Sequence, residues 1–208
     1  MEPSVEPIVV MIPPLPPLKE TGISPWPAQG EWTYEDYLRL PDDGNRYEII
    51  EGALYMVNAP GFDHQYTVMQ LLRQISNFVI EKGLGVVLTA PFEVHLSERS
   101  RQVQPDILFI AAERMPQPSA PCFVGVPDLI VEILSPNTVR TDRIVKFAAY
   151  ERAKVREYWI VDLGTRSVEV YVLGNDGVYA LFGQFRTKES TRSAVLEGFH
   201  VAVDSLFA

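Results

Sequence analysis

The chain has 208 residues, 47% of them hydrophobic and 22% charged, which is enough apolar surface for one large domain with a tail and too much for a disordered chain. Its single cysteine, Cys122, excludes an internal disulfide scaffold and fits a reducing compartment. The formal net charge of −9 counts against a strong non-specific nucleic-acid binder, which depends on Lys and Arg contacts to phosphate, but not against an enzyme whose carboxylates hold a metal ion.

Residues 1–30 carry nearly half of the 17 prolines. Proline fixes φ and removes a donor, so this stretch is expected to be an extended tail ahead of a single domain over 31–208. The apolar run 8–12 ends at Pro13-Pro14, too short for a bilayer span, and no basic cluster precedes it as in a signal peptide. No membrane association is expected, and the cytoplasm is the expected location.

Thr33, followed by Asp36 and Tyr37, reads as a capped helix start that ends before Pro41. Residues 46–57, with Gly52 near the middle, read as a hairpin. Over 64–82 the apolar residues Val68, Leu71, Leu72, Ile75, Phe78 and Val79 recur at helical spacing, with Asp63 as a candidate cap and Gly83 as a stop. The period then changes. Residues 86–88, 92–96, 103–110, 129–134 and 158–161 read as strands, and 142–153 as a helix. Residues 167–173 alternate and should be half-exposed. Asn175-Asp176-Gly177 is a turn before a last strand over 178–182. The strand–helix–strand unit from 129 to 161 predicts one parallel crossover, hence a mixed sheet and an α/β (α+β) fold.

Two carboxylates interrupt this pattern. Asp106 follows Pro105 at the head of an apolar run, and Glu132 lies inside Leu129-Ile130-Val131-Glu132-Ile133-Leu134. A run of that kind belongs to a strand covered on both faces, where an ionised carboxylate needs a partner. On neighbouring strands the two acids would repel each other, and a divalent cation would relieve both problems. Hard oxygen donors with room for water suit Mg2+, with Mn2+ as the alternative. The competing reading of Glu132 is an ion pair with a buried Lys or Arg.

Asp142, Lys146 and Tyr150, at i, i+4 and i+8, share one helix face. By spacing alone, a solvent lysine paired with Asp142 is favoured over one aimed at a metal site. Glu48 and Glu51 fall on opposite faces if both lie in one strand, so at most one of them faces a site. A lone histidine such as His64 at a helix start is more often structural than a ligand. Residues 137–157 hold six Lys/Arg against three acids; this segment either meets a phosphate backbone or is a solvated face of ion pairs.

The succession of Tyr47-Glu48-Ile49-Ile50-Glu51-Gly52, His64, Gln104-Pro105-Asp106, the stretch from Pro127 to Pro136 around Glu132, then Asp142, Lys146, Tyr150 and Glu157-Tyr158-Trp159-Ile160-Val161-Asp162 resembles the Uma-two family of restriction-endonuclease-like proteins, within the PD-(D/E)XK nuclease superfamily. The resemblance covers residues 32–207. It implies a restriction-endonuclease-like core, a mixed sheet flanked by helices, with the site at its open end. Asp106 would match the aspartate after proline, Glu132 the acid of the (D/E)XK element, and Glu48 the acid from the first part of the fold. The lysine expected two residues after Glu132 is replaced by Leu134, and Lys146 on the following helix is the substitute. The implied activity is Mg2+-dependent hydrolysis of DNA: Asp106, Glu132 and Glu48 bind metal, Lys146 assists, and the enzyme is a homodimer. The alternative is a catalytically degenerate nuclease fold used as a nucleic-acid-binding or accessory module.

Overall fold

The computed structural model describes residues 26–208, so most of the stretch expected as a tail lies outside the described residues. Its last few residues pack on the domain. Trp26 stacks on Trp32 at 5.7 Å, and the Gln29 amide bonds both backbone groups of Leu54.

The first elements follow the sequence reading. Helix α1 (Tyr34–Leu38) starts at a capping box between Thr33 and Asp36. Strands β1 (Arg46–Ile50) and β2 (Ala53–Val57) form an antiparallel hairpin. Its two turn residues, Glu51 and Gly52, have φ of 53° and 76°, as a tight hairpin turn requires. A Cβ on Gly52 would stand 2.4 Å from the Gly30 carbonyl oxygen, so glycine is needed there on both counts. Helix α2 (Phe62–Lys82) buries Val68, Leu71, Ile75 and Val79 and ends on Gly83 in the left-handed conformation. Its N-cap is Gly61, not Asp63. The helix starts before the acid, which lies in the first turn, where a negative charge suits the helix dipole.

The central sheet has six strands in the order β10-β9-β8-β7-β5-β3. They are β3 (Gly85–Thr89), β5 (Ile107–Ala111), β7 (Leu129–Leu134), β8 (Glu157–Asp162), β9 (Ser167–Leu173) and β10 (Tyr179–Arg186). Only the β7–β8 pair is parallel, joined by the expected crossover through α3 (Phe147–Ala153). Two small pairs complete the fold: β4 (Glu93–His95) with β6 (Cys122–Val124), and β11 (Ser190–Arg192) with β12 (His200–Ala202). Among the described residues no helix is long and apolar enough to cross a membrane.

The sheet is covered on both faces. On one face Val131, Ile133, Trp159 and Val161 pack with α2 and with Leu196, Phe199, Val203 and Leu206 of the C-terminal segment. On the other, Ile130, Leu134, Tyr158 and Ile160 pack with Ala149 and Tyr150 of α3 and with β4 and β6. The C-terminal segment explains a departure from expectation: the first four residues of β9 are buried, not half-exposed. The strand expected over 103–110 is also divided. Val103 makes a separate bridge to Val94, and β5 begins after Pro105-Asp106, because proline cannot donate to the ladder. The short strand holding Cys122 had no readable period.

Candidate active site

The β5–β7 register ends with Ile107 opposite Val131; Asp106 immediately precedes β5 and Glu132 follows Val131 on β7, so both acids lie at this end of the ladder. Asp106 Oδ2 accepts from the Ile133 amide at 2.8 Å, which fixes its carboxylate against the end of β7. Glu132 is 3% exposed and points to the face covered by α3. The β1–β2 hairpin brings in Glu48, also 3% exposed, whose Oε1 accepts from the Gln104 amide at 2.6 Å. Glu51 lies in the turn and bonds Ser100 Oγ instead. The two acids do not share one strand, so strand alternation does not separate them; the turn at Glu51 does.

Lys146 is buried, at 6% exposure, and not in solvent. Its Nζ lies 3.0 Å from Glu132 Oε1, 3.1 Å from Glu48 Oε2 and 3.9 Å from Asp142 Oδ1. The backbone explains how it gets there. Residues Thr141–Lys146 form a π-helical turn that leads into α3. In an unbroken α-helix each four-residue step turns the face by about 40°. The wider π turn falls short of a full turn in four residues, so its offset has the opposite sign and the drift cancels. Asp142, Lys146 and Tyr150 thus stay aligned toward the sheet, and Tyr150 Oη donates to Glu132 Oε1 at 2.6 Å. A helical period shows that these three share a face but does not show which way the face points.

His64 also belongs to the cluster. Its Nε2 lies 3.2 Å from Asp106 Oδ2, while its Nδ1 is buried without a partner. Burial pulls the imidazole pKa down, but the hydrogen bond and charge of Asp106 outweigh it, and the net shift is upward. Sequence reasoning gave His64, Tyr150 and Gln104 no chemical role. For Tyr150, its place four residues beyond Lys146 was the available signal.

The electrostatics follow from four carboxylates, Glu48, Asp106, Glu132 and Asp142, gathered around one ammonium. Burial pushes the Glu132 carboxyl well above its usual range; the neighbouring acids add to this and Lys146 opposes it. Asp142 is pushed up to about 6, mainly by burial. Burial alone would lower the lysine pKa, but the surrounding carboxylates reverse it and hold the ammonium charged.

The donors fit a hard divalent cation in kind, being buried carboxylate oxygens with more negative charge than one ammonium balances. As arranged, no three His, Cys, Asp or Glu side chains among the described residues converge closely enough to hold a metal ion.

Most bases of segment 140–156 have partners within the chain. Arg143 pairs with Glu169 and Asp162, Arg152 with Glu51 and Arg156 with Asp128, while Lys146 is internal and Lys154 bonds the Gly177 carbonyl. The local excess of charge read from the sequence is distributed among acids from other parts of the chain.

The mixed six-stranded sheet, with its one parallel pair joined through a crossover helix, is the frame of a restriction-endonuclease-like fold. Residues 34–204 match the model of the Uma2 family, described as "Putative restriction endonuclease", and the chain belongs to that family. The uncharacterized protein slr1290 of Synechocystis sp. (strain ATCC 27184 / PCC 6803 / Kazusa) is 21% identical over 175 residues, which cover 83% of this chain and 90% of the relative. The crystal structure of "a putative nuclease belonging to DUF820" from Anabaena variabilis ATCC 29413 matches with a TM-score of 0.71 at 20% identity, covering 84% of this chain and 97% of that one. The family and fold bear out the resemblance read from the motifs.

Proposed function

We propose that the protein is a Mg2+-dependent endonuclease that hydrolyses phosphodiester bonds in DNA. The observation that carries this reading is the gathering of Asp106 and Glu132 at one end of the β5–β7 ladder, with Lys146 Nζ 3.0 Å from Glu132 Oε1. Asp106, Glu132 and Glu48 are the residues that would hold the metal, with Mn2+ as a substitute ion. The bound ion would supply charge stabilisation at the phosphate and a more acidic water. The chain's own groups do the rest. The Ile133 and Gln104 amides and the Tyr150 hydroxyl orient the three carboxylates. Lys146 orients the attacking water or offsets charge on the phosphoryl oxygens. The position of this lysine on a helix answers the absence of one at Leu134 and favours an enzyme over a degenerate binding module.

Two further parts of the reading concern context. A homodimer would use β10, the edge strand of the sheet, where Leu181 and Phe182 are exposed. The single cysteine, which suits a reducing compartment, supports a cytoplasmic location.

Purified protein incubated with supercoiled and single-stranded DNA tests the activity, using Mg2+, Mn2+ or chelator beside Glu132→Ala and Lys146→Ala. The expected result is cleavage that requires metal and is lost in both variants. Absence of cleavage in every condition, with no metal binding dependent on Asp106 and Glu132, leaves the fold serving another role.

A further inference from the structure

We propose that a basic cavity lined by Arg114, Lys154 and Arg156 is a binding site for a phosphate dianion, free or as a monoester. The site stands apart from the proposed cleavage chemistry. Asp128, at its base, precedes β7 and accepts the amide of Ala111, the last residue of β5, whereas Asp106 and Glu132 lie at the opposite end of that ladder.

The first observation is the way one buried carboxylate holds two arginines. Asp128 is 2% exposed. Its Oδ2 accepts the Ala111 amide at 2.8 Å, and both guanidiniums converge on Oδ1: Arg156 Nη1 at 3.1 Å and Arg114 Nη2 in direct contact. Arg114 Nη1 also donates to the Val126 carbonyl at 2.7 Å, which pins that guanidinium to the cavity wall. These contacts use two nitrogens of Arg114 and one of Arg156. Both side chains keep further N–H groups, and both line the cavity. Planar forks held in place by a buried carboxylate suit phosphate oxygens, which they meet in pairs.

Charge is the second observation. Lys154 ends α3 at φ 68°, where glycine is the usual residue, and its Nζ bonds the Gly177 carbonyl at 3.1 Å with further N–H groups to spare. Asp128 balances one of the three cations. A phosphate monoester carries a charge of about −1.5 to −2 at pH 7, which matches the two that remain. The other acid on the lining, Glu113, is exposed and more strongly screened. A diester, with a single charge, leaves part of the excess unmatched. The cavity volume of about 280 Å3 is near the lower limit of about 300 Å3 for small-molecule sites, so the phosphate bears at most a small organic group.

Titration calorimetry on the full chain in metal-free, low-salt buffer tests this, with inorganic phosphate, glycerol 3-phosphate and the diester dimethyl phosphate. Saturable binding of the first two is expected, weakened about tenfold or more by Arg114→Gln and by Arg156→Gln, with dimethyl phosphate also about tenfold weaker. Tighter binding of glycerol 3-phosphate identifies an organic monoester as the ligand, and equal binding identifies phosphate itself; either upholds the site. No saturable binding of either overturns it, as does binding that the arginine variants leave unchanged, or dimethyl phosphate binding as tightly as the dianions. Arg156 is 62% exposed, so Arg156→Gln keeps the fold and decides the test if Arg114→Gln unfolds. The cleavage reading is tested with metal and DNA, and neither result depends on the other.

Discussion

Glu132 and Glu157 are both buried glutamates on the one parallel strand pair of the sheet, and they are held in opposite ways. Glu157, at the start of β8 and 0% exposed, accepts from Trp159 Nε1 at 2.5 Å and from the Ala194 and Val195 amides at 2.6 and 2.8 Å. The two amides belong to the C-terminal segment and the indole to β8, so its partners are fixed neutral donors. Glu132, three residues along β7 from the register partner of Glu157, has a hydroxyl and an ammonium, with three other acids close by. Burial raises the pKa of both carboxyls. A carboxylate held by fixed neutral donors serves packing, whereas one crowded by its own kind is balanced chiefly by the single Lys146 ammonium.

The largest effect expected from this contrast is on stability at Glu157. Glu157→Ala strands the buried Trp159 indole N–H and takes the acceptor from two part-buried amides, which should cost about 3–5 kcal/mol. For a domain of this size, that is a drop in Tm of about 10 °C by calorimetry. A drop of a degree or two would mean water replaces the carboxylate and would erase the distinction from Glu132.

At Glu132 the expectation is reversed. Glu132→Gln leaves Lys146 paired with Glu48 and removes one of four mutually repelling carboxylates, so stability in urea should change by about 1 kcal/mol or less. Metal-dependent cleavage should fall by about a hundredfold or more in the same protein. A variant that instead unfolds as readily as Glu157→Ala would make Glu132 a structural residue.

The two glutamates also mark what could be read from the sequence. Glu132 sits inside an apolar run and Glu157 at the head of one, and the family resemblance placed Glu132 in the site. The hairpin, α2, the crossover and the mixed sheet follow from local signals of period, turn and cap. The neutral partners of Glu157 come from residues 194 and 195, and a contact across such a separation leaves no mark on local periodicity. The same holds for His64 and Asp106, 42 positions apart and joined only because α2 lies beside the end of β5. The inward direction of Lys146 depends on the π turn, and the residues 141–146 give no periodic sign of that extra width.

A third carboxylate, Glu169 on β9, lies between the two extremes. It is 9% exposed and accepts both guanidinium nitrogens of Arg143, at 2.8 and 3.1 Å, together with Tyr171 Oη and the Gln184 amide. Burial pushes its carboxyl up, but these donors and the arginine charge outweigh it, leaving the net pKa below the ordinary value of 4.5. A carboxyl with a lowered folded-state pKa adds stability above the unfolded-state pKa and loses it as pH falls through the folded-state value. Arg143 is partly open to solvent, which screens the pair, so the contribution should be about 1 kcal/mol. Urea unfolding of wild type and Glu169→Gln should therefore differ by that amount at pH 7, and the gap should close below pH 4.5. A gap that persists undiminished in acid would mean that Glu169 acts by shape and neutral hydrogen bonds, as Glu157 does, and that charge pairing in this sheet is confined to the cluster around Lys146.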